Sequence, residues 1–318
     1  MERDRRGQRI VVLGGGGFLG SHVCARLIAE GAAVVAVDTW LTGREQNLEA
    51  IEGPGTLEVV TADAADVSIG GLVTAILHLA SPASPPDYLR HPTETLRAGS
   101  VATLHAIDLA AAHDARLLFA STSEVYGDPL VHPQPETYTG NVDPTGPRAV
   151  YDEAKRFGEA AVAAAGCDGR VDAAIVRIFN TVGPQMRPDD GRMVPAFVAQ
   201  LLDGGIVTIH GDGLQTRSVA DVEDTIDGLV RVLDAPVTGP INIGNPEEHT
   251  VLEVARWCGE ALDVAVEHRF VPAMRGDPVR RCPDISLATG LLGWRPRVAA
   301  RDAVVRAARW LAGERVSP

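Results

Sequence analysis

Residues 13–22 read LGGGGFLGSH and directly follow a short apolar run, RIVVL at 9–13. Gly14, Gly17 and Gly20 give a GxxGxxG spacing. Without a Cβ, glycine permits a tight turn and lets the backbone approach a pyrophosphate, which then rests at a helix N-terminus. A glycine-rich string alone is a weak signal, and its setting sharpens it. A strand pattern precedes it, a helical pattern follows from about Gly17 to Glu30, and Asp38 closes the next strand pattern, AVVAVD (33–38). A carboxylate there accepts hydrogen bonds from the adenosine ribose hydroxyls and repels a 2′-phosphate, which favours NAD over NADP. Asp63, at the end of LEVVTAD (57–63), is a candidate contact for the adenine amino group. A strand-end Asp can equally cap the next helix.

Outward from the loop the alternation continues. AILHLAS (75–81), ARLLFAS (115–121) and DAAIVRIFN (172–180) read as strands, with one helix over 93–113 and another starting near Val150. Continuous apolar strands alternating with helices imply a doubly wound parallel sheet covered on both faces, an α/β fold. The second half mixes short strands (IVTIHG, 206–211; PINIGN, 240–245) with helices over 250–262 and 301–312. The expected organisation is a mainly NAD-binding domain over 1–180 and a smaller lobe over 181–318, interleaved without a clean linker.

A net charge of −13 over 318 residues, with no basic block beyond MERDRRGQR, argues against nucleic acid. Cys24, Cys167, Cys258 and Cys282 lie far apart with no metal-ligand spacing, so no metal is expected and all four read as reduced thiols. The N-terminus lacks the apolar segment of a signal peptide and no run reaches transmembrane length, so a cytoplasmic protein is expected.

The second informative stretch, ASTSEVYGDP (120–129), follows the fifth strand, at the end where open α/β sheets bind ligands. It offers hydroxyls at Thr122 and Ser123 and a carboxylate at Glu124. Tyr151 and Lys155, in VYDEAKR (150–156), are one helical turn apart on one face. Two unit charges ~4 Å apart at an effective dielectric near 20 interact by about 4 kcal/mol. An ammonium that close could draw a phenol from ~10 towards ~7, into the range of a general acid/base.

The GxxGxxG turn, TSEVYGDP and YxxxK together resemble the extended short-chain dehydrogenase/reductase superfamily. Within it the chain is most similar to the UDP-glucuronate decarboxylases, also called UDP-xylose synthases, and the resemblance covers nearly the whole chain. HLASPASPPDY, GNVDPTGPRAVYDEAKR, FNTVGP, DDGRMVPAF and GDGLQTRS carry it alongside the stretches above. The resemblance implies a catalytic set of Thr122, Ser123, Glu124, Tyr151, Lys155 and Arg281. It implies cofactor contacts at Gly14, Gly17, Phe18, Leu19 and Gly20 in the loop, and at Asp38, Thr42, Gly43 and Asp63 beyond it. Leu79, Ser81, Tyr151, Lys155 and Thr181 complete that set. Substrate contacts are implied at Arg97, Glu124, Asn180, Arg192, Arg217 and Arg281. The implied reaction oxidises C4 of UDP-glucuronate, loses carbon dioxide from the β-keto acid, and re-reduces C4 to give UDP-xylose.

Sugar-nucleotide 4,6-dehydratases carry Asp-Glu where this chain has Ser123-Glu124, and 4-epimerases usually lack the acid. Ser123 can hydrogen-bond a carboxylate but cannot expel a 6-hydroxyl, so it favours decarboxylation. The chain departs from the decarboxylase pattern at Leu13, Ala98, Gly99, Val182, Val219 and Ala220, which points to a looser pocket and a second possible product, the 4-keto pentose. An epimerase or dehydratase on the same fold, a non-catalytic nucleotide binder, and a dehydrogenase consuming NAD are the alternatives. Small residues along 93–113 and in the helix after Val150 match the helices through which this superfamily often dimerises, so a homodimer is expected.

Overall fold

The computed structural model describes residues 3–273, residue 278 and residues 280–316. Six strands come from the first 180 residues: β1 (Arg9–Leu13), β2 (Ala33–Asp38), β3 (Thr56–Thr61), β4 (Ala75–His78), β5 (Arg116–Thr122) and β6 (Ala173–Ile178). A seventh, Pro240–Ile243, pairs with β6, and the spatial order is Pro240–Ile243, β6, β5, β4, β1, β2, β3. All these pairings are parallel. The chain winds from β1 out to β3, then crosses back to β4 and proceeds the other way. A crevice opens at that switch, beyond the carboxyl ends of β1 and β4.

The helices of the first half are α1 (Phe18–Ala29), α2 (Gln46–Glu49), α3 (Pro85–Arg90), α4 (Pro92–Gly99), α5 (Val101–His113) and α6 (Ala149–Cys167). Side chains alternate along β1 and so split the core into two layers. Ile10 and Val12 pack with Val23 and Leu27 of α1 and with Ile226 and Leu229 of the Val222–Asp234 helix. Val11 and Leu13 pack on the other side with Ala106 and Ile107 of α5 and Val162 of α6. A third core, around Phe197, Ile209, Trp257 and Val304, belongs to the C-terminal lobe.

Three features differ from the sequence expectation. The 93–113 helix is two helices, broken at Ser100, whose hydroxyl turns back to the Leu96 carbonyl at 2.6 Å. The break lets α4 lie against α6: a Cβ on Gly99 would stand 2.5 Å from the Ala154 Cβ. Helices Met193–Leu202 and Val222–Asp234 were not anticipated. The 240–245 strand, expected among the second-half elements, completes the main sheet, so the two parts of the chain share one core.

No described helix is long and apolar enough to cross a membrane. All four cysteines are free, and burial pushes the Cys24 and Cys258 thiols up to about 12.

Gly158 sets how closely α6 sits on β5, since a Cβ there would lie 2.3 Å from the Phe119 ring. Gly158→Ala is expected to cost about 1–3 kcal/mol in urea unfolding, the usual price of overpacking. A wild-type midpoint would contradict that contact.

Candidate active site

The glycine loop is held tightly under the sheet's end. Gly14 adopts φ +84° and donates its N–H to the Val37 carbonyl at 2.8 Å. A Cβ on Gly14 would meet the Ala80 backbone at 2.7 Å, and one on Gly20 would meet the Gly14 carbonyl oxygen at 2.0 Å. The N-cap of α1, Gly17, places no side chain over the helix start. That bare helix N-terminus with close backbone fits a pyrophosphate. Asp38 braces the loop: its two carboxylate oxygens accept from the Gly16 and Trp40 N–H groups, both at 2.9 Å. Gly43 closes over the same carboxylate, where a Cβ would come within 2.8 Å. Burial raises the Asp38 pKa above the ordinary carboxyl value.

From this loop a cavity of about 700 Å³ runs past the ends of β4, β5 and β6 into the C-terminal lobe, a volume suited to a small organic ligand. Gly14, Gly17, Phe18, Leu19 and Gly20 line one end, with Thr42, Leu79 and Ser81 beside them. Thr122, Ser123, Glu124, Tyr151 and Lys155 line the middle, and Asn180, Thr181, Arg192, Arg217 and Arg281 stand opposite. Asp38, Gly43, Asp63 and Arg97 lie outside its walls.

Arg97, expected among the substrate contacts, lies outside the cavity in this ligand-free arrangement. Its guanidinium pairs at the surface with Asp63 at 3.0 Å and reaches Asp66 at 3.8 Å, away from any substrate acid in the cavity. Asp63 in turn accepts the Ala65 N–H at 2.9 Å. The pair neutralises itself, because α4 ends against α6 and turns Arg97 towards the loop after β3.

At the centre Tyr151 is buried and stacked on Tyr88 with ring centroids 5.3 Å apart, and Thr122 lines the cavity beside it. The Lys155 ammonium donates to the Ala120 carbonyl at 2.8 Å and lies 6.0 Å from the Tyr151 ring centroid. Burial lowers Lys155 to about 8. Burial also raises the Tyr151 pKa, and the Glu124 charge raises it further, against the pull of the Thr122 hydrogen bond. A Lys-activated phenol near neutrality is therefore not what this ligand-free site holds: the ammonium is turned to a backbone carbonyl, and the phenol is a neutral hydrogen-bonding acid.

Glu124 sits between two guanidiniums. Arg148 Nη2 is 2.6 Å from Oε1, its Nε is 3.2 Å from Oε2, and Arg281 Nη1 is 3.5 Å from Oε1. Burial alone would raise the Glu124 pKa, but the two arginines outweigh it and hold the carboxyl ionised. Arg192 is paired through both nitrogens with Asp190 at 2.6 Å, yet its guanidinium remains 6.0 Å above the Phe18 ring. Arg217 is buried and donates to the Thr216 carbonyl at 2.8 Å. The Thr181 hydroxyl is engaged by the Phe179 carbonyl and Thr225.

The cavity residues Arg148 and Arg187 escaped the sequence reading, as did Tyr88, which stacks on Tyr151 from behind the cavity wall. Arg187 ties the Thr42 carbonyl at 3.1 Å to Asp87 of α3 at 3.0 Å. Arg148 had a legible signal, since it precedes Tyr151 by three residues, the spacing of helix neighbours. The structure also gathers His132, Glu248 and Cys282, a metal-ligand type of cluster that no spacing had suggested. The Arg280 guanidinium already reaches His132 and Glu248 there.

Residues 10–244 match the NAD dependent epimerase/dehydratase family. The chain belongs to that family. Over 313 residues it is 43% identical to UDP-glucuronic acid decarboxylase 1 of Danio rerio, covering 98% of this chain and 74% of the relative. It is 45% identical over 298 residues to UDP-glucuronic acid decarboxylase 2 of Arabidopsis thaliana, covering 94% and 67%. A dTDP-glucose 4,6-dehydratase from Streptomyces venezuelae, solved with NAD bound, superposes with a TM-score of 0.87 at 27% identity, covering 97% of this chain and 98% of that one. The cofactor of this family member is NAD, and the glycine cradle fits it.

Burial raises the phenols of Tyr88, Tyr126 and Tyr151. Ultraviolet titration of the ligand-free protein is expected to show no tyrosinate forming near pH 7. A tyrosinate at that pH that disappears in Tyr151→Phe would contradict the geometry.

Proposed function

We propose that this chain is a UDP-glucuronate decarboxylase that oxidises C4, releases carbon dioxide and re-reduces C4 to give UDP-xylose. One observation carries the reading from the structure: two guanidiniums, Arg148 and Arg281, share one carboxylate, Glu124, beside Tyr151. A sugar carboxylate fits both the pair of guanidiniums and the buried Arg281 Nε, which has no partner among the described residues. Neither feature would serve a neutral sugar.

The glycine loop would hold the pyrophosphate of NAD, with Asp38 behind it rejecting a 2′-phosphate, and Lys155 would hold the nicotinamide ribose. Bound NAD supplies a hydride acceptor for C4 and the hydride that returns to it. The positive charge of bound NAD would favour ionised Tyr151, whose phenolate would take the C4 hydroxyl proton as the ketone forms. The C5–C6 bond then breaks, carbon dioxide leaves, and its electrons delocalise into an enolate on the C4 oxygen. Thr122 and Tyr151 hydrogen-bond that oxygen. C5 is reprotonated by water, with the ionised Glu124 positioning the sugar, and Tyr151 returns its proton as C4 is reduced. Ser123 hydrogen-bonds the sugar carboxylate, and Arg217, Arg192 and Asn180 hold the diphosphate and uridine side.

Residues 1–180 serve mainly the cofactor and 181–318 mainly the nucleotide sugar in this reading. A homodimer through α4, α5 and α6 is supported by the exposed Leu96, Val101, Leu104 and Phe157 along those helices. Buried Val182 and Val219 on the cavity wall leave room that bears on whether the 4-keto sugar escapes.

The test is incubation with UDP-glucuronate and NAD while carbon dioxide and nicotinamide absorbance are followed together. Carbon dioxide with flat absorbance is expected; rising absorbance would mean release of the 4-keto pentose. A folded, NAD-binding sample that yields no carbon dioxide would overturn the reading in favour of an epimerase or dehydratase. Tyr151→Phe should lower kcat by about 10²- to 10⁴-fold. Arg217→Ala should raise KM by about 10- to 100-fold, the loss of a charged hydrogen bond, with a smaller effect on kcat.

A further inference from the structure

One short loop of the C-terminal lobe, residues 184–191, is seated on the cofactor side of the cavity. His22 Nε2 of α1 lies 3.0 Å from the Pro184 carbonyl oxygen, and the Ser21 hydroxyl donates to Gln185 Oε1 at 2.8 Å. Gln185 adopts φ +68°, a conformation that residues other than glycine take only where surrounding contacts hold it. At the end of the loop, a Cβ on Gly191 would stand 2.5 Å from Pro86 Cγ of α3.

Arg187 lies in the middle of that loop. Its Nη1 donates to the Thr42 carbonyl at 3.1 Å, and its Nη2 donates to the two carboxylate oxygens of Asp87 at 3.0 and 3.1 Å. The Ser84 hydroxyl in turn holds Asp87 at 2.8 Å. The Arg187 and Asp87 side chains are only 17% and 8% exposed, so water screens them far less than a surface ion pair. Thr42 follows β2 and Asp87 follows β4, and those two strands lie on either side of β1, which leads into the glycine loop. A link from one to the other therefore crosses the glycine-loop end of the cavity, which Gly14, Gly17, Thr42, Asp87 and Arg187 all line.

We propose that Arg187 is a positioning residue: it latches the C-terminal lobe across the dinucleotide and slows its departure, so that the cofactor reduced in the first half of the cycle is still in place to return its hydride. The latch itself concerns only the cofactor. Its consequence for the product rests on the decarboxylase reading above.

The test has two arms. In the first, protein loaded with NADH is mixed with excess NAD, no sugar being present, and the loss of bound-NADH fluorescence is timed. Arg187→Gln should release NADH about 10- to 100-fold faster than wild type, the loss of a charged two-point contact. Arg187→Lys, which keeps the charge, should fall between. Asp87→Asn, which weakens the same link from the other side, should also speed release and stands in if Arg187→Gln does not fold. The double variant should be no faster than the faster single, since both break one link. A bridge that only joined two parts of the chain would lower the melting temperature and leave the release rate at its wild-type value. The second arm incubates wild type and Arg187→Gln with UDP-glucuronate and NAD. The variant should divert product from UDP-xylose to the 4-keto pentose, with NADH accumulating in solution. Wild-type release from the folded variants, or faster release with an unchanged product ratio, would overturn the proposal. Faster release from the variants with no carbon dioxide from the wild type would sink the decarboxylase reading and leave the latch in place.

Discussion

The site depends on one buried carboxylate. Glu124 follows β5, Arg148 opens α6, and Arg281 comes from the C-terminal lobe, so a single ion cluster joins the sheet, the Tyr151 helix and that lobe. Buried charges are stable only when paired and hydrogen-bonded. Satisfying Glu124 therefore fixes where α6 begins and where Arg281 can stand. Tyr151 lies one turn beyond Arg148, which places it beside Thr122 in the cavity wall.

Packing then sets the distances that electrostatics exploit. Gly158 over Phe119 and Gly99 against Ala154 let α6 approach both the sheet and α4. The consequence is full burial of Tyr151 and Lys155, which penalises both charged forms. The phenol is held neutral, and the ammonium is drawn down to about 8, closer to physiological pH than a free lysine. The Tyr88 ring stacks on Tyr151 from a helix anchored by Arg187 to Asp87.

Much of this was legible in the chain. Glycines spaced by three after an apolar run can hardly serve anything but a tight strand-to-helix turn, and Asp38 at the next strand end gave the loop its partner. The Tyr151–Lys155 spacing put both groups on one helix face. What escaped depended on tertiary contacts. Ser100 breaks a helix that local pattern makes continuous, because Gly99 must sit against Ala154. The Pro240–Ile243 strand is too short to announce that its partner is β6. Arg97 looked like a ligand for an acid and found one, Asp63, in its own chain. Sequence spacing shows that Lys155 is near Tyr151, and packing adds that its ammonium is turned to the Ala120 carbonyl.

The account's central claim is that one site oxidises C4, releases the carboxylate and returns the same hydride. UDP-[4-²H]glucuronate turned over in ordinary water tests it most directly. The account predicts UDP-xylose that keeps deuterium at C4 and carries solvent hydrogen at C5. Carbon dioxide release accompanied by loss of the C4 label to water, or retention of the label in unreacted substrate with no decarboxylation, would contradict it.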